Sequence, residues 1–303
     1  MNKKVKQITS NSLPAFETAT GRIRYGLTND FMFHVVLEEN ISALRMLLSS
    51  LLHRKPEEIK TVDVRNPLDY GTFVTDKKII LDLKLLLNSN KLVNIEMQVL
   101  NEKNWPERSL IYLCRSYDNV RKGNDYSSVF SAHQVSILDF DLDEVEPEFY
   151  STHHLINDKT GKAFTGNFAL SVLNLKRIEL ATDEDISWRI DKWAKLFKAD
   201  TWEELRMIAA EDLEMTNTAK TLYTKNQDET ARLWAQARED FLWREASIIA
   251  EAEKAQKEAA KAQEEAAKAQ EETAKAQKET AKAQEEAAKY RALLIANGID
   301  PNS

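Results

Sequence analysis

Apolar residues recur at three- and four-residue spacing through Phe33, Val36, Leu37, Ile41, Leu44, Leu47 and Leu48. This predicts a helix that starts near Asp30, capped by Thr28 or Asn29, and is over before Pro56. Three β-like runs follow, at Ile59 to Asn66, Lys77 to Leu87 and Leu92 to Leu100. Asn88-Ser89-Asn90 is a compact polar turn, so the last two runs are expected to pair as a hairpin. A helix from about Pro106 to Arg121, stopped by Gly123, comes next. Gln134 to Phe140 is a largely apolar run and is expected to be a central strand. Tyr150 to Ile156 and Phe168 to Leu175 are further strand candidates. The order helix, three strands, helix, strand predicts an α+β core on one sheet.

From about residue 185 the pattern is helical almost throughout. Helices are predicted at Ile186 to Phe197, Trp202 to Ala210 and Leu213 to Tyr223, with most of Trp188, Trp193, Trp202 and Met207 as packing residues. The tripeptide Lys-Ala-Gln then starts at Lys254, Lys261, Lys268, Lys275 and Lys282, a period of seven. Ala255, Ala262, Ala269, Ala276 and Ala283 fill one heptad position. Ala259, Ala266, Thr273, Thr280 and Ala287 lie four residues later, the alternation of a and d sites. A helix from about Glu229 to Ala296 would be near ~100 Å long at about 1.5 Å per residue, with Asn297-Gly298 as its stop. A solvated spacer helix and an Ala-rich coiled coil both satisfy this pattern. The larger residues that extend the register, Phe241 and Ile248 upstream and Tyr290 and Leu294 downstream, favour self-association through residues 229–296.

Composition narrows the function classes. With 43% hydrophobic residues among 303, the chain can build a packed core, and seven Gly and six Pro are too few for a turn-rich β sandwich. The single cysteine, Cys114, closes no intramolecular disulfide, excludes a cysteine-based zinc site and fits a reducing compartment. No apolar run follows the basic start MNKKVK, and no stretch approaches the ~20 apolar residues of a membrane span, so a cytoplasmic protein with no membrane partner is expected. A net charge of −7 argues against non-specific coating of nucleic acid but leaves room for a local basic groove. Neither GxxxxGK[ST] nor GxGxxG occurs, so no nucleotide cofactor is expected. His133, His153 and His154 have no partner at a zinc-ligand spacing.

The chemistry-bearing residues lie in the hairpin. Asp82 and Glu96 are acids embedded in apolar runs, a costly place for charge unless something binds it. Alternation puts Glu96 and Gln98 on one face, and pairing about the Asn88 turn brings Asp82 near them. Two carboxylates on adjacent strands, with room for water and phosphate, suit Mg²⁺.

The segments TNDFMFHVVL, NPLDY, IILDLKLLL, NIEMQVL, ERSLIYLCRSYDN, KGNDYSSV and VSILDF, in that order, resemble the Rpn (recombination-promoting nuclease/putative transposase) family of the PD-(D/E)XK nuclease superfamily. The resemblance covers about residues 27–180. It implies a restriction-endonuclease-like core and Mg²⁺-dependent cleavage of DNA, with Mn²⁺ as a substitute ion. It implies Asp82 as the first metal-binding acid, Glu96 as the second, and Gln98 at the position of the superfamily's lysine. A neutral amide only donates and accepts hydrogen bonds, so the metal would supply nearly all the charge stabilisation. His34 stands where the family motif often has lysine.

Asp30 is a candidate accessory acid, though a helix-start acid favoured by the dipole is the stronger reading. Asp69 and Asp76 read as turn residues. Lys103, Arg108, Arg115, Arg121 and Lys122 outnumber Glu107 and Asp118, and Arg108, Tyr112 and Arg115 share one helical face as candidate DNA-backbone contacts. The expected organisation is a flexible leader at 1–26, a nuclease-like domain at 27–180, a helical module at 181–228, a long helix or coiled coil at 229–296 and a tail at 297–303. The expectation is a metal-dependent DNA endonuclease, with a catalytically weak or inactive nuclease-fold protein that serves as a DNA-binding or coiled-coil scaffold as the alternative.

Overall fold

The computed structural model describes residues 15–66, 82–119, 125–142 and 146–298. Two helices rather than one open the core, α1 (Asp30–Glu39) and α2 (Ile41–Leu51). The break is Asn40, at φ −119° and ψ 70°, whose side chain donates to the carbonyl of Val36 (2.7 Å) and to Thr221 Oγ1 (2.9 Å). An asparagine that can bond its own preceding turn competes with the helix ladder, and here it wins. Apolar periodicity survives the break, so spacing alone does not reveal it. Asn29 is the cap, its Oδ1 accepting from the Met32 N–H.

A mixed six-stranded sheet has the order β1-β2-β3-β4-β6-β5, with β1 (Val62–Val64), β2 (Leu83–Leu87), β3 (Lys91–Gln98), β4 (Ser131–Leu138), β5 (Tyr150–His154) and β6 (Phe168–Asn174). β1, β2 and β3 form an antiparallel meander, β3, β4 and β6 run parallel, and β5 is an antiparallel edge. β4 lies between β3 and β6 and is buried almost throughout, as its apolar run predicts. The expected run Lys77 to Leu87 is described only from Asp82, and Asp69 and Asp76 lie outside the described residues.

The two faces of the sheet differ. Val93, Ile95 and Met97 of β3 and Val135 and Ile137 of β4 join the main core with Phe33, Leu37, Leu44 and Leu47 of the first two helices. The other face is covered by α3 (Trp105–Tyr117), through Trp105 on Leu138 and Val172 and Leu113 on Ala132 and Leu170. α3 ends at Tyr117, earlier than the expected Arg121. The Asn119 amide explains the stop: its Nδ2 donates to the carbonyls of Ser116, Tyr117 and Phe130, and its Oδ1 accepts from the Phe130 N–H. Arg121, Lys122 and Gly123 lie outside the described residues.

Five more helices follow: α4 (Asp183–Ser187), α5 (Ile190–Lys198), α6 (Trp202–Ala209), α7 (Leu213–Gln227) and α8 (Glu229–Ala296). The expected single helix over Ile186 to Phe197 is split by Arg189, which is left-handed at φ 63°. Trp193 and Trp202 are buried and Trp188 stacks on His53 at 5.2 Å. Met207 is the one of the four that does not pack, at 72% exposed. It stands off the Trp202, Leu205, Ala209 stripe that α6 turns inward.

The chain forms two compact units, Met1–Trp243 and Arg244–Ser303. The first includes the sheet, α1 to α7 and the base of α8, where Ala231 and Ala235 are buried. In the second, the heptad side chains are exposed, Lys268, Lys275 and Lys289 pair with the glutamate four residues before each, and Gly298 closes the helix at φ 74°. Among the described residues, no helix is long and apolar enough to cross a membrane.

Candidate active site

The hairpin turn sets the position of the first acid. Asn88 and Ser89 both take positive φ (48° and 62°), which closes Leu87 against Lys91 and fixes the register through Leu83 opposite Ile95. Asp82 is the next residue out, beside Glu96. It precedes β2 rather than lying inside it. Asn66 takes over the pairing there, donating to the Asp82 carbonyl (2.7 Å) and accepting from the Lys84 N–H (2.9 Å). The Asp82 carboxylate accepts a long bond from Asn94 Nδ2 (3.5 Å).

Glu96 is 4% exposed on the α3 face of β3. Its Oε1 accepts from Arg108 Nη2 of α3 at 2.5 Å, and the same guanidinium donates to Gln98 Oε1 (3.3 Å) and Glu102 Oε2 (2.7 Å). Gln98 Nε2 donates to the Leu100 carbonyl at 3.2 Å. Donor and acceptor at both ends of that amide agree, which fixes its orientation. Among the described residues, Glu96 Oε2 and Asn94 Oδ1 are buried without a hydrogen-bond partner. Asn94 Nδ2 also reaches Gln134 Oε1 (3.0 Å), so a polar row runs from Asp82 through β3 to β4.

Burial pushes the Asp82 carboxyl above its usual range, against the Asn94 bond and the charge of Arg108. Glu96 is pushed up to about 7 by burial first and by the Asp82 charge second, with Arg108 opposing. Two neighbouring desolvated acids, one of them raised by the other's charge and left with an unbonded oxygen beside a single arginine, mark a candidate functional site.

Asp30, at the start of α1, is close enough for its charge to raise Glu96 further. Its own carboxylate is taken by Arg238 of α8, whose Nε lies 2.9 and 2.7 Å from the two oxygens. His34, fully buried one turn on and 3.4 Å from Glu38, is sealed from solvent and so from any DNA contact. Of the three candidate backbone contacts, Arg108 is bound to the acids, with Tyr112 under its guanidinium at 5.4 Å. Tyr112 and Arg115 line a cleft of about 460 Å³ beside Asp82, shared with Arg65, Lys84 and Asn94.

Sequence reasoning missed Asn66, Asn94 and Arg238. Asn94 carried a signal, because Asn94, Glu96 and Gln98 alternate along one strand face. Asn66 and Arg238 reach the site only through tertiary contacts. Among the described residues no group of three or more His, Cys, Asp or Glu forms a ready-made metal cage. Two carboxylates and an unbonded oxygen nevertheless fit a hard cation such as Mg²⁺, which keeps several waters and borrows ligands from its substrate.

The family model for the PD-(D/E)XK nuclease family transposase matches residues 27–252. The match runs beyond the expected 27–180, through α4 to α7 and into α8. No curated protein and no solved structure matches the chain. Matched over most of its length, with its paired acids on a buried hairpin, the chain belongs to the PD-(D/E)XK nuclease family transposases.

Proposed function

We propose that the protein is a Mg²⁺-dependent DNA endonuclease of the recombination-promoting nuclease type, with Asp82 and Glu96 as its metal ligands. The observation that carries this is Glu96 Oε2, a buried carboxylate oxygen without a partner among the described residues, beside a second desolvated acid. A cation held there supplies charge neutralisation at the scissile phosphate and lowers the pKa of a bound water.

The chain's own residues supply position. β3 holds Glu96 rigidly, since every residue from Val93 to Gln98 is buried. Gln98 spends one N–H and one lone pair on Leu100 and Arg108, and keeps one of each to orient a water. Arg65, Lys84 and Arg115 line the cleft beside Asp82 and offer positive charge to a phosphate backbone. Self-association through residues 229–296 would bring two such sites to one duplex. Exposed apolar residues at both ends of the heptads, Ile248 (60%) and Tyr290 (70%), support it.

The test is plasmid nicking and linearisation with Mg²⁺, beside EDTA and the Asp82→Ala protein. Metal-dependent cleavage that disappears in the variant is expected. Intact protein that cuts with neither Mg²⁺ nor Mn²⁺ would transfer the reading to a scaffold.

A further inference from the structure

The cation nearest the acid pair comes from neither strand of the hairpin. Arg108 stands on α3, and its Nη2 alone touches both Glu96 (2.5 Å) and Gln98 (3.3 Å) while Nη1 bonds Glu102 (2.7 Å). Tyr112, one turn along α3, supports the guanidinium from below at 5.4 Å. A planar fork with three acceptors and an aromatic support has little freedom left, unlike a lysine ammonium in the same place. The consequence for Glu96 is geometric. With Oε1 held by Arg108, Oε2 is the oxygen left without a partner among the described residues.

Resting on the nuclease reading, we propose that Arg108 is the positioning residue of the site. From α3 it turns Glu96 so that Oε2 faces the divalent cation, fixes the Gln98 amide, and supplies the local positive charge that the neutral Gln98 does not. Arg108 is therefore not spent on the DNA backbone. That contact falls to Arg115, Arg65 and Lys84, which line the cleft. Glu102 serves as a tether: it holds the second arm of the guanidinium and prevents both arms from closing on Glu96.

The experiment separates metal binding from cleavage. Binding of Mn²⁺ alone, without DNA, is measured by calorimetry on the full chain and on Arg108→Met, Arg108→Lys, Gln98→Lys and the double variant Gln98→Lys/Arg108→Met. Plasmid cleavage is measured alongside. Arg108→Met is expected to weaken Mn²⁺ binding and cleavage by about 10–100-fold, the usual effect of losing a residue that orients a metal ligand. Arg108→Lys should fall between, keeping the charge and losing the fork. Gln98→Lys alone should reduce cleavage, because it places an ammonium against the guanidinium. In the double variant that ammonium should restore part of the loss. A Gln98→Lys protein as active as the unmodified chain, or more so, would overturn the proposal, even if Arg108→Met does not fold. So would an Arg108→Met protein that binds Mn²⁺ and cuts normally. If the unmodified chain itself neither binds Mn²⁺ nor cuts, the nuclease reading fails first and takes this one with it.

Discussion

Glu96 is the residue where fold and charge conflict most. Its folded pKa of about 7 exceeds the usual carboxylate value of 4.5 because burial and Asp82 penalise the anion more than Arg108 relieves it. A raised pKa means that the metal-free fold binds an extra proton between those values. Stability from this group is thus full below about pH 4.5 and lost as pH rises through about 7, by roughly 3 kcal/mol at most. Thermal unfolding in EDTA from pH 5 to pH 8 should show the decline, and Glu96→Gln should flatten it. If Asp82 and Glu96 hold a divalent ion as proposed, adding it should reverse the sign, since the ion competes with the proton and would tighten as pH rises. An equal slope in Glu96→Gln would assign the decline to other groups. The pair Asp82 and Glu96 was legible in the sequence because acids inside apolar runs stand out. Arg108 as the partner of Glu96 was not, since an arginine on a basic helix gives no sign whether it faces DNA or a carboxylate twelve residues back.

At the level of elements, the base of α8 is tied to the start of α1. Arg238 grips both oxygens of Asp30, Asn29 Nδ2 donates to the Ala235 carbonyl at 3.0 Å, and Phe31 stacks on Trp234 with centroids 6.1 Å apart. Burial raises the Asp30 pKa, and Arg238 is the main influence that lowers it. Arg238→Ala leaves a buried carboxylate alone and should cost about 3 kcal/mol at neutral pH. Adding Asp30→Asn should recover most of that in urea denaturation, whereas an additive pair would show that the two side chains do not interact. Such ties also mark what periodicity could reveal. The strands, the hairpin turn and the long helix follow from spacing that local sequence sets. The break at Asn40 and the early stop of α3 depend on single polar side chains, and the break at Arg189 on one left-handed residue. The partners at Asn40 include a residue far along the chain, Thr221, and those at Asn119 one across the following loop, Phe130.

For the whole molecule, the family match ends at residue 252, close to where the first compact unit ends and just before the first Lys-Ala-Gln at Lys254. The heptads therefore form a separate layer of design on a nuclease-family body. In the proposed self-association their alanines would bury little area per contact, so register would matter more than any one residue. Deleting one complete heptad, residues 261–267, keeps Ala255 and Ala269 in phase with Tyr290 and Leu294. Deleting three residues turns the downstream apolar stripe by about 60°, since each residue rotates a helix by about 100°. Sedimentation of the two deletions should show unchanged self-association in the first and weaker association in the second. If both associate alike, the repeat is a spacer and contacts elsewhere hold the chains together. If cleavage of both strands is then lost only in the three-residue deletion while nicking persists, the long helix sets how many active sites meet one duplex.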